Sequence, residues 1–166
     1  MAAGTAQADT VTIDIGGALS NAEFGDASNE TRFVDLFSNV HITNVSWNVN
    51  LSTFGSSWLS EMGFDLSNDS GSGASLFPGL GDDSAGSGSY SGSADLVSLG
   101  ADFFLGADGR LNLQFFEYFD DLIGAADGIW NRGSSLTVTY VPEPATFGLA
   151  AIALLGMGLS SRRKKS

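Results

Sequence analysis

The chain has no cysteine and only one histidine, which removes several kinds of functional site. Without thiols there can be no disulfide, no thiolate zinc site and no cysteine nucleophile. With His41 as the single imidazole, one copy cannot build a site from several histidines, and a Ser-His-Asp triad would depend on that residue. No Gly-x-Ser-x-Gly motif marks a nucleophilic serine. We therefore expect no enzyme, and a small secreted hydrolase with paired carboxylates remains the alternative.

Positive charge is scarce until the end of the chain. Seven lysines and arginines oppose 19 aspartates and glutamates, and the formal net charge is −12. Four of the seven close the chain, at Arg162, Arg163, Lys164 and Lys165, which leaves Arg32, Arg110 and Arg132 for everything before them. Such a polyanion repels phosphate backbones, so we expect no nucleic-acid partner.

Proline is also scarce, with 3 residues, whereas glycine reaches 22 of 166. This balance is typical of many turns that join short extended segments. Residues 45–51 alternate strictly between apolar and polar side chains, which is the period of a half-buried strand. The same alternation recurs in residues 11–15, 62–66, 111–115 and 136–140. We therefore predict an all-β fold over residues 9–141, an antiparallel β-sandwich of the jelly-roll kind.

Two kinds of irregular segment interrupt this pattern. Residues 67–94 are rich in glycine, serine and aspartate, a composition that buries too little apolar surface to offset its ordering entropy. We predict a long mobile loop there, anchored by Leu76, Phe77 and Leu80. Residues 54–59 and 116–123 are predicted to form short helical turns.

Residues 145–161 carry no charge and are apolar on every side, and the basic cluster 162–165 follows them. At ~1.5 Å per residue the stretch spans roughly 25 Å, which approaches the ~30 Å hydrocarbon layer of a bilayer. A single transmembrane helix is predicted, and its basic end, Arg162 to Lys165, would stay in the cytoplasm and leave the body outside. The alternative is a buried helix of a soluble domain, which would show a polar face.

A motif stands directly before this stretch. The residues Val141-Pro142-Glu143-Pro144, the apolar span and the terminal arginines resemble the PEP-CTERM sorting signal of exopolysaccharide-producing Gram-negative bacteria. Over residues 142–166 the resemblance implies that an exosortase recognises Pro142, Glu143 and Pro144 and removes the tail. It further implies a precursor anchored in the inner membrane and a mature body at the cell surface or secreted.

The other end of the chain is less complete. Ala6-Gln7-Ala8 has the small-x-small pattern of a signal-peptidase site, although no apolar stretch precedes it. We interpret residues 1–8 as the remnant of a signal peptide.

A second resemblance concerns the fold alone. The aromatic-rich segment 111–140, with its Gly128-Ile129-Trp130, is similar to the closing strands of jelly-roll domains such as the proprotein convertase P domain.

Acidic groups near glycines are candidates for calcium, which prefers hard oxygen ligands. The groups are Asp82 with Asp83, Asp120 and Asp121 with Asp127, and Asp65 with Asn68 and Asp69. None reproduces a known calcium loop, and the alternative is that these carboxylates only keep loops solvated.

The tryptophans are candidates for stacking on sugars. The candidate set is Trp47, Trp58, Trp130 and Tyr118, but Trp47 lies on the apolar face of its strand. Phe115, Phe116 and Phe119 are expected in the core or in a second layer packed against it. Trp58 and Trp130 lie in turn-like contexts and are the preferred pair. The sequence as a whole predicts a non-enzymatic protein of the cell surface or exopolysaccharide matrix, with a carbohydrate- or calcium-binding module as the alternative.

Overall fold

We describe the protein from a computed structural model, in which residues 7–142 are described. Glu143, Pro144, the predicted helix 145–161 and the basic cluster 162–165 lie outside the described residues, as do residues 1–6 of the predicted signal-peptide remnant. Between residues 7 and 142, no helix is long and apolar enough to cross a membrane.

The described part of the chain consists almost entirely of strands and turns. In chain order the elements are β1 (Asp9–Asp14), β2 (Leu19–Ser20), β3 (Thr31–Asp35), β4 (His41–Thr53), β5 (Met62–Ser67), β6 (Gly73–Leu76), β7 (Ser87–Asp95), α1 (Leu96–Leu99), β8 (Phe103–Phe104), β9 (Arg110–Glu117), β10 (Gly128–Trp130) and β11 (Ser135–Val141). The single turn of α1 begins where the Asp95 side chain accepts a hydrogen bond from the Ser98 amide, and it ends at Gly100 in the left-handed conformation.

The strands form two sheets in which all the paired strands are antiparallel. The seven-stranded sheet is built around β4, which pairs with β7 and β8 along one edge and with β11 and β10 along the other. Beyond them, β1 pairs with β11 and β2 with β10. The four-stranded sheet has the order β3-β9-β5-β6.

The two sheets share one hydrophobic core, which follows the alternation of the sequence. Leu111, Leu113 and Phe115 of β9 are fully buried and face the equally buried Leu136 and Val138 of β11 within a single cluster. Trp130 lies at its centre, with its ring 5.8 Å from that of Phe64 and 5.4 Å from that of Phe115, both in edge-on contact. The predicted all-β, antiparallel fold is confirmed.

The predicted long loop at residues 67–94 is wrong for much of its length. It contains β6, and nine residues of regular strand begin at Ser87 and pair with β4 from Ser52 to Asn44. Small side chains do not prevent this, because the ladder uses backbone groups only. At position 92 the absence of a side chain is required, since a Cβ atom on Gly92 would lie 2.6 Å from the Trp47 ring.

Neither of the two predicted helical turns forms a helix, although residues 54–57 close a single turn. Phe116 and Glu117 complete β9, and the rest of residues 116–123 is irregular. In residues 54–59 the Ser57 amide bonds back to the Phe54 carbonyl in a single turn, but the Leu59 amide donates instead to the carbonyl of Ser84. Tertiary pairing therefore overrides the local preference.

Candidate functional site

A hollow of about 300 Å³ opens beside the end of β9, and we call it the aromatic hollow. Its lining is formed by Trp58, Ser60, Glu61, Phe77, Leu80, Asp83, Tyr118 and Phe119. Large side chains in it remain accessible: Trp58 is 45% exposed, Tyr118 59% and Phe119 55%. Exposed aromatic rings gathered in a concavity are typical of a binding site rather than of a plain surface.

Three loop segments meet in the aromatic hollow and are joined by backbone hydrogen bonds. The Tyr118 amide donates to the carbonyl of Glu61 at 3.0 Å, and the Ser60 amide donates to that of Asp82 at 3.0 Å. The Glu61 carboxylate accepts from the Trp58 amide at 2.9 Å, which holds the tryptophan turn in place. The aromatic rings are therefore carried by loop segments that hydrogen bonds hold to one another.

The chemistry of the aromatic hollow combines apolar ring faces with hydrogen-bond acceptors. Tyr118 lies edge-on to Phe119 with centroids 4.7 Å apart and edge-on to Phe77 at 6.2 Å. Beside these rings, the Asp83 carboxylate accepts from the Ser60 hydroxyl at 2.8 Å. A sugar matches this chemistry, because its apolar C–H faces can stack on the aromatic rings and its hydroxyl groups can donate to the carboxylates.

The two predicted sugar-stacking residues are not brought together. Trp58 lies in the aromatic hollow, but Trp130 is 0% exposed at the core centre, so its selection as a surface residue is wrong. Gly128 and Asn131 around Trp130 suggested a turn, whereas residues 128–130 are a strand that pairs with both β4 and β2. Phe119, expected in the core or its second layer, is exposed instead.

Of the predicted calcium ligands, Asp121 and Asp127 are brought together, since the Asp121 amide donates to Oδ2 of Asp127 at 3.1 Å, whereas Asp82 and Asp83 face different partners. Asp82 accepts from the hydroxyls of Ser84 and Tyr90 at 2.5 and 2.6 Å, and these bonds lower the pKa of its carboxyl. Asp83 is at the aromatic hollow, Asp120 and Asp121 are exposed, and Asp127 is fully buried. Within residues 7–142 no three acidic or histidine side chains are grouped to hold a metal ion. Calcium binding stays a prediction.

The third acidic group, around Asp65, is likewise used internally. Asp65 is buried and accepts from the Ser75 hydroxyl, while Asp69 receives two hydrogen bonds from the Arg110 guanidinium and one from Asn112.

Glu117, a buried carboxyl group near Asp127, was missed from the sequence, and Asp127 was predicted only as a calcium ligand. Glu117 and Asp127 are both 0% exposed. The Glu117 carboxyl accepts from the Ser20 hydroxyl at 2.5 Å, while Oδ1 of Asp127 has no partner among the described residues. Burial, together with the nearby charges of Asp127 and Glu61, raises the pKa of Glu117 to about 8. The sequence did contain a signal for the burial of Glu117, because the alternation of β9 makes position 117 the next inward-facing position after Phe115.

Comparison with known proteins identifies the C-terminal segment. A family model described as the PEP-CTERM protein-sorting motif matches residues 141–164. The chain carries a PEP-CTERM protein-sorting motif. This motif implies an exported protein of the Gram-negative cell envelope or its surroundings, processed by an exosortase. It begins where the body ends, because Val141 is both the last residue of β11 and the first residue of the motif.

Other comparisons add little to the PEP-CTERM match. No curated protein matches the chain. The VP2 subviral particle of infectious bursal disease virus is 10% identical over 80% of the chain, with a TM-score of 0.38, and the match spans only 32% of VP2. The Israeli acute paralysis virus full particle is 12% identical, with a TM-score of 0.26, over 83% of this chain and 72% of that one. These likenesses are too weak to bear on function.

The buried Glu117 predicts a pH-dependent stability of the body. Between its ordinary pKa of 4.5 and its folded value of about 8, the folded state keeps a proton that the unfolded state has released. The free energy of unfolding therefore falls as pH rises through this window, by at most roughly 1.4 kcal/mol per pH unit. Glu117→Gln, which is neutral throughout, should flatten this dependence in urea unfolding at pH 5, 6.5 and 8.

Glu23→Gln, at an exposed carboxylate, is the matched control and should retain the wild-type slope. A Glu117→Gln protein that loses stability between pH 5 and 8 as steeply as the wild type would contradict the burial of a protonated Glu117.

Proposed function

We propose that the protein is a non-enzymatic component of the cell surface or exopolysaccharide matrix, sorted and processed through its C-terminal motif. The match of residues 141–164 to the sorting motif carries this proposal. In it, residues 145–161 span the inner membrane, Arg162 to Lys165 stay in the cytoplasm, and an exosortase cuts near Pro142, Glu143 and Pro144. Because β11 ends at Val141, removal of the tail would release the two sheets whole.

The finer description of the fold that we propose is a jelly-roll sandwich. Two consecutive strands that occupy the same position in a sheet are counted as one row. This joins β1 with β2, β7 with β8, and β10 with β11, and the eleven strands of the described residues become eight rows, numbered in chain order. One sheet then has the row order first, eighth, third, sixth, and the other has second, seventh, fourth, fifth. This nested pairing of first with last and second with seventh is that of two Greek keys rolled together, which supports the assignment.

Two observations support the absence of catalysis in this proposal. The paired carboxyl groups of Glu117 and Asp127 are closed off from solvent, so a polysaccharide cannot reach them as it would in a hydrolase cleft. His41 is hydrogen-bonded through Nε2 to the Asp102 carboxylate at 2.7 Å and stacked on Phe104, and among the described residues its side-chain partner is this carboxylate and not a serine.

Processing at the motif is tested by variants of its prolines in the native host. The double substitution Pro142→Ala, Pro144→Ala should leave the tail attached, because the stiff extended strip that an enzyme groove accepts is lost. Mass spectrometry of both termini should find the wild type without residues 145–166 and the variant with them, in the membrane fraction.

Pro78→Ala, at the remaining proline, is the control and should be processed normally. A mature wild-type protein that still ends in Arg162 to Lys165 would overturn the proposal.

A second candidate function is polysaccharide binding by the aromatic hollow. It is favoured by the exposed rings of Trp58, Tyr118 and Phe119 around the acceptors of Glu61 and Asp83. The position of the protein is consistent with such a ligand, since the proposed sorting route delivers it to the polysaccharide outside the cell.

Trp58→Ala tests this binding on polysaccharide extracted from the native host. The loss of one stacking ring is worth about 1.4 kcal/mol, so affinity should fall about tenfold with no change in the unfolding midpoint. Trp130→Ala is the contrasting variant, because a large core deletion costs ~3–5 kcal/mol of stability. Retention of Trp58→Ala equal to that of the wild type in affinity electrophoresis would rule out the hollow.

A further inference from the structure

The outward residues of β9 connect the aromatic hollow with the outer face of the four-stranded sheet. Leu111, Leu113, Phe115 and Glu117 point inward and are buried. Because side chains alternate along a strand, Asn112, Gln114 and Phe116 point outward, and Tyr118 continues the same line. At ~3.3 Å per residue, the line from Asn112 to Tyr118 is roughly 20 Å long.

A second hollow, of about 250 Å³, lies along this line, and we call it the outer groove. Its lining is formed by Phe24, Gly25, Thr31, Phe33, Asp65, Ser67, Asn112 and Gln114. Strand register aligns six of these residues in two rows across the sheet, Thr31-Gln114-Asp65 and Phe33-Asn112-Ser67. The rings of Phe24 and Phe33 are 57% and 59% exposed at its margins.

The floor of the outer groove has hydrogen-bond acceptors that the protein does not fully use. Oδ1 of Asn112 is buried and has no partner among the described residues, although the Nδ2 of the same amide donates to Asp69. Asp65 is only 6% exposed, and among the described residues its carboxylate accepts from the Ser75 hydroxyl and also interacts with the Ser67 hydroxyl. A buried acceptor without a donor is costly, so this floor favours a ligand that brings hydroxyl or amide donors.

Aromatic rings bridge the outer groove and the aromatic hollow without a break. Phe24 contacts Phe116 with centroids 5.2 Å apart, Phe116 contacts Phe77 at 5.4 Å, and Phe77 contacts Tyr118 at 6.2 Å. Gly63 makes room for this bridge, since a Cβ atom there would lie 2.7 Å from Phe116 and 2.9 Å from Phe77. Phe116 itself is only 3% exposed, so the accessible rings that flank this bridge are Phe24 on the side of the outer groove and Phe77 and Tyr118 on the side of the aromatic hollow.

We propose that the outer groove and the aromatic hollow together form a continuous track for a linear, uncharged polysaccharide. The inference rests on the proposed polysaccharide binding of the aromatic hollow and extends it to a ligand of several sugar units. Rings alternate along the track with acceptors, as the C–H faces and hydroxyls of a sugar chain require.

The charge of the track selects against other occupants. Asp65 in the groove and Glu61 and Asp83 in the hollow disfavour uronate or phosphate groups, and they would also meet like charges on a second copy of this face. The one cation beside the groove among the described residues, Arg110, lies over the Phe33 ring and is paired with Asp69 at 2.7 Å. It is therefore not free to recruit an anion.

The test is titration calorimetry of the full chain in mild detergent against linear oligosaccharides. The probes are glucose, galactose, mannose and xylose oligomers of two to eight units, with alginate oligomers as the charged contrast. We expect at least one neutral series to bind more than tenfold tighter at six units than at two, and alginate not to bind. Phe33→Ala and Gln114→Ala should each weaken the longer oligomers about tenfold, whereas Phe37→Ala, at an exposed ring that lines neither hollow, should not.

Gly63→Ala probes the continuity of the track, because displacement of the Phe116 and Phe77 rings should weaken the binding of long oligomers and spare that of disaccharides.

Binding that is independent of oligomer length and sensitive only to Trp58→Ala would overturn the track and leave the aromatic hollow as a binding site. A preference for alginate, dimerisation through this face, or no binding of any neutral series would overturn the track, and the last result would also contradict binding in the hollow.

Discussion

The alternation of β9 is the constraint on which both faces of the four-stranded sheet depend. Its inward residues Leu111, Leu113 and Phe115 close the core around Trp130, whereas its outward residues Asn112 and Gln114 line the outer groove. A shift of one residue would exchange the two sets and bury the polar side chains. Strand β9 is held on both sides, by five register pairs with β3 and six with β5, so the core and the outer surface are specified together.

The same alternation shows why much of the fold could be predicted from the sequence. Residues 45–51, 111–115 and 136–140 lie in strands as expected, because one apolar face per strand is a strong signal. The glycine- and serine-rich β7 has no row of large apolar side chains and so gave no such signal. It forms a strand because its backbone pairs with the edge of β4 and because Gly92 leaves room for the Trp47 ring. Trp130 was misassigned because turn residues surround it, although two neighbouring strands bury it.

The candidate site was less predictable, because its residues meet only in the folded chain. Trp58, Phe77 and Tyr118 come from three separate segments, and nothing in their spacing indicates a common hollow. The sorting motif, by contrast, is continuous in sequence and could be predicted in full. Strand β11 is held between β1 and β4 and ends at Val141, where the motif begins, so the motif and the proposed binding surface are separate features.

The register of β9 can be measured directly, because the chain contains no cysteine. Single substitutions Leu111→Cys, Asn112→Cys, Leu113→Cys and Gln114→Cys would each introduce one thiol, whose labelling rate is compared under native and unfolding conditions. The account predicts rapid native labelling at positions 112 and 114 and protection at 111 and 113 until the protein unfolds. The reverse pattern, or equal labelling at all four positions, would contradict the register and with it both faces of the sheet.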